Sequence, residues 1–232
     1  MGEDIQIVSV MSVPMCGWNP HWGCHSAALS PFGLVDQVIA FGAWWDHGVS
    51  NAFEDLLDRG NVDWILTMDY DSMFTAGHVS DLLRRFGDNP HMDALAAIQP
   101  RRGSEETPIM SIGEHTEFEF GADDAVKCDT AHFGLTLLRT ESLAKMPKPW
   151  FVNRPDPQGS YRTKGRLDSD MYFWRKWQEA GNTLYVDPHV RIGHLQPMVA
   201  ELHDAGDGHL RTRHVHFMDW RKRTNSVKTE VA

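Results

Sequence analysis

Short apolar runs alternate with amphipathic helical stretches along most of the chain, and few folds accommodate that order. Residues 5–11 put Ile5 and Ile7 on one side of an extended chain and Val8 and Val10 on the other, as in a strand covered on both faces. A Trp-, Gly- and Pro-rich stretch from residue 14 to about 33 reads as a loop, and residues 35–41 as a second strand. Val49, Phe53, Leu56 and Leu57 share one helical face, with Gly60 as the C-terminal stop. Residues 64–68 are a mostly apolar run suited to a buried strand. Thr75 predicts the cap of a helix that turns Val79, Leu82, Leu83 and Phe86 to the core and ends at Gly87.

The same rhythm continues downstream. Residues 94–98 predict a strand, and the acidic segment 103–124 holds two shorter ones at 109–112 and 116–120. A strand at 133–138 precedes a Thr140-capped helix. Residues 151–165, with two prolines and two glycines, read as a mobile loop, where an acceptor lid would sit. A helix at 168–180 closes at Gly181, followed by strands at 184–186 and 190–192. Strands alternating with helices imply a three-layer α/β domain around a mainly parallel central sheet, with ligands outside the carboxyl ends of the strands. We assign residues 1–200 to this domain and 201–232 to a C-terminal appendage.

Composition narrows the function classes. With 32 acidic against 22 basic residues in 232, the net charge is -10, which disfavours general binding to nucleic acid or anionic membranes. Residues 201–232 carry six basic and five acidic side chains, so the rest holds -11. Arg211, Arg213, Arg221, Lys222 and Arg223 keep a polyanionic acceptor open, beside a plain solvated arm. No apolar run approaches the roughly 20 residues of a membrane helix, and Met1-Gly2-Glu3-Asp4 lacks the features of a secretory signal. Three cysteines are too few for a disulfide scaffold, so a soluble cytoplasmic protein is expected.

Asp69-Tyr70-Asp71 follows the 64–68 run directly. Residues two apart in extended chain project to the same side, so the two carboxylates converge at the mouth of the sheet. Close carboxylates repel, and a divalent cation relieves the repulsion. A solvated turn is the other reading of the triplet, but a turn needs neither the buried strand before it nor the capped helix after it. Asp170 falls in the first turn of its helix, where the dipole favours a carboxylate. It serves either as a proton acceptor or only the helix, with Asp168 as the cap. Gly134 either admits substrate to the backbone or packs within a strand. Arg101 and Arg102 either reach phosphate or are solvated, and Trp18, Trp22, Trp44, Trp45 and Trp150 divide between stacking on a sugar or base and filling the core. Cys16, His21, Cys24 and His25 offer a zinc site, against a loop with one buried cysteine; their spacing departs from a Cys-x₂-Cys knuckle. His214-Val215-His216 is a weaker version of the same idea.

Three blocks in order carry a resemblance. The first is Asn51-Ala52-Phe53-Glu54-Asp55-Leu56-Leu57 with residues 62–72. The second is residues 132–139, with Leu143 and Pro149-Trp150-Phe151. The third is Leu167-Asp168-Ser169-Asp170-Met171-Tyr172-Phe173, with Ala180-Gly181, Val186-Asp187-Pro188 and His194. Over roughly residues 5–197 the chain resembles nucleotide-sugar-dependent glycosyltransferases of the GT-A (Rossmann-like) fold, family 2-like and near the small bacterial and phage members. It departs from them at Ser169, where a Glu is usual, and at Ser50, where an Arg is frequent.

The resemblance implies a metal-dependent transfer of a sugar from a nucleoside diphosphate sugar to an acceptor hydroxyl, inverting rather than retaining. It makes Asp71 the direct metal ligand and puts Asp69 on the ribose or on the metal through water. His194 becomes a third ligand, Asn51 and Gly134 lie toward the donor, and Asp170 is the general base. Mixed oxygen and imidazole ligands suit Mn²⁺, with Mg²⁺ as the alternative. The acceptor stays open among saccharide, lipid-linked sugar, protein and modified nucleic acid. Two rivals remain. A nucleotidyltransferase of related fold would carry a Gly-rich basic loop after its first strand, which residues 13–18 do not supply. A non-catalytic carbohydrate-binding module would not need Asp69, Asp71, Asp170 and His194 together.

Overall fold

A computed structural model describes residues 5–13, 19–34, 38–41, 44–101, 108–113, 115, 124–162 and 165–226. In chain order the elements are β1 (Ile7–Val13), α1 (Asn19–Leu29), β2 (Val38–Phe41), α2 (Trp45–Arg59), β3 (Trp64–Asp69) and β4 (Ser72–Met73). Next come α3 (Ala76–Asp88), β5 (Ala94–Ile98), β6 (Met110–Ser111), β7 (Val126–Lys127), β8 (Thr130–Ala131), β9 (Leu135–Arg139) and α4 (Thr140–Ala144). The chain continues with α5 (Ser169–Glu179), β10 (Leu184–Arg191), β11 (Gly193–His194), β12 (Met198–Asp204), β13 (Leu210–His216) and α6 (Phe217–Ser226).

Seven strands form the central sheet in the order β2-β1-β3-β9-β5-β10-β7. β2, β1, β3, β5 and β10 run one way, while β9 and β7 oppose their neighbours. The result is a three-layer, Rossmann-like α/β domain with a mainly parallel sheet. Alternation along the strands divides the core. Val10, Ile65, Ala94, Ala96, Leu138 and Val186 face Val49, Phe53 and Leu56 of α2 and Phe173, Trp174 and Trp177 of α5. Met11, Leu66, Met68, Leu95, Leu135 and Leu137 face Leu29 of α1 and Val79, Leu82 and Phe86 of α3. Tryptophans and phenylalanines thicken the α2/α5 layer, where Phe173 stacks on Phe151 and Trp177 and Phe133 on Trp174. Trp174 is fully buried and its indole N–H donates to the Ala131 carbonyl at 2.6 Å. These contacts fix α5, and with it Asp170, against the sheet.

Several boundaries differ from the sequence expectations. Part of the predicted 14–33 loop is α1. Asn19 followed by Pro20 is a helix-start pair, but α1 lacks an apolar stripe: beside buried His25, its C-terminal Ala28 and Leu29 enter the core. α3 runs through Gly87 to Asp88. Gly87 lies inside the helix against the Trp64 ring and does not end it; a Cβ there would make an ordinary contact at 3.4 Å. Thr75 does cap α3, reciprocally with His78. At α4 the cap position is Arg139, and Thr140 is already helical. The strands expected at 184–186 and 190–192 are one strand, because pairing with β5 resumes past Pro188 after a register shift between Asp187 and Arg191. Of the strand expected at 109–112 only β6 forms, and residues 35–37 and 116–120 lie outside the described residues.

In the 151–165 stretch, buried Asp156 accepts backbone N–H groups of Gln158 and Ser160 at 3.0 and 2.7 Å, which closes the described part of this loop on itself. After Pro197, β12 and β13 form a hairpin against which α6 packs, and Glu201 takes Arg213 and Arg223 at 2.7 and 3.0 Å. Among the described residues no helix is long and apolar enough to cross a membrane.

Candidate functional site

The carboxyl ends of the parallel strands converge on a cavity of about 400 Å³, the size range of small-molecule sites. Asp69 is the last residue of β3, and Ser12 lies beside it in register at the end of β1. The Ser12 hydroxyl and the Trp45 indole N–H both donate to Asp69 Oδ1, the latter at 3.2 Å. Burial raises the Asp69 carboxyl above the ordinary aspartate value, the Ser12 bond opposes this, and neighbouring Asp71 raises it further.

Asp71 and His194 meet because β4 and β11 pair, with His194 opposite Ser72. Asp71 Oδ2 lies 3.3 Å from His194 Nε2, and both side chains are almost fully buried (7% and 6% exposed). His194 Nδ1 is 3.0 Å from the Pro100 carbonyl. A carbonyl and a carboxylate both only accept, so the neutral ring can donate to only one of them: from Nε2 to Asp71, or from Nδ1 to Pro100 with the Nε2 lone pair turned to Asp71. With the Nε2 lone pair turned to Asp71, a cation between the two makes the contact attractive.

Asp170 reaches the cavity from the first turn of α5, and its Oδ1 accepts the Met171 N–H at 2.7 Å. Burial is the main cause that raises its carboxyl above the ordinary value. The Met171 N–H lowers it, while Asp168 and, across the cavity, Asp69 raise it. Asp168 occupies the cap position without capping, because its carboxylate takes Arg166 at 2.9 and 3.1 Å. Asp170 and His194 also border a second cavity of about 440 Å³ beside Arg101, Ser111 and Thr130. They stand on the wall between the two spaces.

His132 shows what a satisfied histidine looks like here. Its Nε2 donates to Ala97 O and its Nδ1 accepts from Gly134 N, each at 2.8 Å. Burial lowers its pKa from the usual 6.5 to about 4. The unfolded chain binds this proton between pH 6.5 and 4 while the folded chain does not, so the contribution is present above pH 6.5 and lost as pH falls through that window. Over the whole window it amounts to about 3 kcal/mol. Denaturation midpoints from pH 7.5 to 4.5 should fall more steeply for the wild type than for His132→Gln. Parallel profiles would remove this account of His132.

The structure separates the remaining sequence candidates. Asn51 is exposed on α2 and is not among the residues lining the cavity, since the periodicity that buries Val49, Phe53 and Leu56 turns it outward. Gly134 lies behind the cavity wall: a Cβ there would sit 2.4 Å from Ser72 Oγ and 2.6 Å from Gln99 Oε1. Arg139 lies opposite Trp64, at the other edge of the sheet, with its guanidinium 4.6 Å from the Phe86 ring centre. Asp187 binds Arg85 at 2.8 Å as a buried structural pair. Of the tryptophans, Trp45 is the one beside the carboxylates; Trp150 is core, Trp44 is exposed, Trp22 packs partly buried against the α1/α3 core, and Trp18 lies outside the described residues.

Of the proposed zinc cluster, Cys16 lies outside the described residues, Cys24 is exposed, and buried His25 spends Nε2 on the Ser72 carbonyl at 2.7 Å. Among the described residues no group of three or more His, Cys, Asp or Glu is arranged to hold a metal ion, and this includes Asp69, Asp71 and His194. Sequence reasoning missed Ser12 and Gln99, although each lies one residue past a run that predicts a strand, 5–11 and 94–98.

No family model matches the chain, and no curated protein matches it. Among solved structures it is similar to A197 from STIV, with a TM-score of 0.58 and 14% identity over 91% of this chain and 96% of that one. That likeness is one of fold. It is also similar to the CMP:2-keto-3-deoxy-manno-octonic acid synthetase complexed with CTP, with a TM-score of 0.48 and 9% identity over 98% and 100% of the two chains.

Proposed function

We propose that the chain is a metal-dependent GT-A glycosyltransferase that moves a sugar from a nucleoside diphosphate sugar to an acceptor hydroxyl with inversion. One observation carries the reading. Asp69, Asp71, Asp170 and His194, from three separate parts of the chain, border a single cavity at the carboxyl edge of the sheet.

The donor set fits a divalent cation. Asp71 Oδ2 and His194 Nε2 face each other 3.3 Å apart, close enough to share one divalent cation in place of the proton between them. A site built from one or two protein ligands leaves positions for substrate phosphate oxygens, as is usual for Mg²⁺, and the imidazole favours Mn²⁺. This is consistent with the lack of a closed three-ligand group among the described residues. When bound, Mn²⁺ or Mg²⁺ would neutralise the charge of the departing diphosphate.

The protein's own residues do the rest. Ser12 and Trp45 hold Asp69 by one oxygen, so the other would serve the ribose or the metal's water shell. Asp170, on the wall between the two cavities, accepts the proton of an acceptor hydroxyl that enters from the second. Its raised pKa makes it a stronger base than an ordinary aspartate. The acceptor oxygen, losing its proton to Asp170, would bond to the anomeric carbon as the bond to the diphosphate breaks on the opposite face, and such a single displacement inverts that carbon.

The test is a panel of nucleotide sugars incubated with Mn²⁺ and simple saccharide acceptors, followed by NMR of the anomeric protons. Release of nucleoside diphosphate from one donor, with inverted product, is expected. Release of pyrophosphate from a nucleoside triphosphate, with no activity on any nucleotide sugar, would replace this reading with nucleotidyl transfer.

A further inference from the structure

The ladder that brings Asp71 to His194 is only two residues long on each side, β4 against β11. So short a pair does not hold its own register in water. Beneath it lies Gln99, just past the end of β5, 2% exposed. Its side-chain amide donates to Ser72 Oγ at 2.9 Å and to the Gly193 carbonyl at 3.2 Å. Ser72 follows Asp71 and Gly193 precedes His194, so one amide ties together the two strands that present the facing pair. Gly134 completes the arrangement from behind, because any Cβ there would meet Ser72 Oγ and Gln99 Oε1 at 2.4 and 2.6 Å. Leu195 N–H to Asp71 O, at 2.8 Å, closes the far side.

We infer that Gln99 is a positioning residue that sets the separation of Asp71 and His194, with Gly134 kept side-chain-free so that the Gln99–Ser72 bond can form. The inference rests on the cation-binding reading above. It explains two features that reading leaves idle: an uncharged amide buried in the wall of an acidic cavity, and a glycine that touches no open space.

The test uses the full chain and Mn²⁺ alone, with free Mn²⁺ read by electron paramagnetic resonance. Gln99→Met keeps the length and removes the donor. Loss of a partner that orients a ligand typically weakens metal binding about 10–100-fold, and that loss is expected here. Exchange of the Leu195 amide should accelerate at the same time. Asn182→Leu is the control: it removes another buried amide bond, Asn182 Nδ2 to Ser142 O at 3.0 Å, remote from the cavity. It should lower the melting temperature without changing Mn²⁺ affinity. Should Gln99→Met fail to fold, Gly134→Ala disturbs the same bond from the opposite side and is expected to weaken Mn²⁺ likewise. Mn²⁺ binding unchanged in Gln99→Met, or weakened equally in Asn182→Leu, overturns the inference. A wild type that binds no Mn²⁺ but in which Gln99→Met still exposes the Leu195 amide sinks the cation reading, while the positioning role stands.

Discussion

Asp170→Asn is expected to bind donor as the wild type does and to lose sugar transfer by a factor of about 10²–10⁴, the usual contribution of a positioned general base. The substitution keeps the size of the side chain and its acceptor for the Met171 N–H, so α5 should stay in place. What it removes is the group that takes the proton. The pH profile gives an independent check. Burial, with Asp168 and Asp69, holds the Asp170 carboxyl above the ordinary aspartate value. The base works only when deprotonated, so wild-type transfer should rise with pH through an apparent pKa above that value. The residual activity of the variant should lack this limb. An unchanged transfer rate in Asp170→Asn would remove it as the base.

The second large effect is expected at the facing pair. Asp71→Asn keeps a neutral oxygen 3.3 Å from His194 Nε2 but removes the charge. Loss of a direct ligand should exceed the roughly 10–100-fold cost of losing an orienting partner, so metal-dependent nucleotide binding should disappear at accessible Mn²⁺ concentrations. The fold should survive, because Asp71 is buried at the cavity and its backbone carbonyl still accepts Leu195 N–H. A melting temperature equal to the wild type's, with metal response lost, is the expected pair of results. The acidic excess then has a limited meaning. A chain of net charge -10 can hold a diphosphate once a few carboxylates have recruited a cation, and most of the other acids among the described residues are solvent-exposed.

The parts of the fold legible in the sequence are those where one element carries its own signal. β3 reads as buried because five apolar or small residues in a row leave no polar face, and α3 because Thr75 caps it ahead of a clear stripe. α1 was hidden for the opposite reason: its Gly23, Cys24 and His25 show no periodicity, and its anchoring by His25, Ala28 and Leu29 falls in its C-terminal half. The antiparallel insertion of β9 between β3 and β5 was equally silent, since an apolar strand does not encode its direction.

The site divides in the same way. Asp69, Asp71 and Asp170 could be named because each sits at a strand or helix end. Asn51 was taken over from a resemblance, although the stripe of Val49, Phe53 and Leu56 already turned it outward. Gln99 could not be found, because Ser72 and Gly193, 27 and 94 residues away, become its partners only after the sheet has formed.

The central claim is that Asp71 and His194 hold a divalent cation which in turn holds a nucleoside diphosphate. Calorimetric titration of nucleoside diphosphates into the wild type and into Asp71→Asn, with and without Mn²⁺, tests it directly. Saturable binding by the wild type only when Mn²⁺ is present, absent from Asp71→Asn under both conditions, is the predicted result. Equal binding by the two proteins, or wild-type binding indifferent to Mn²⁺, would contradict it.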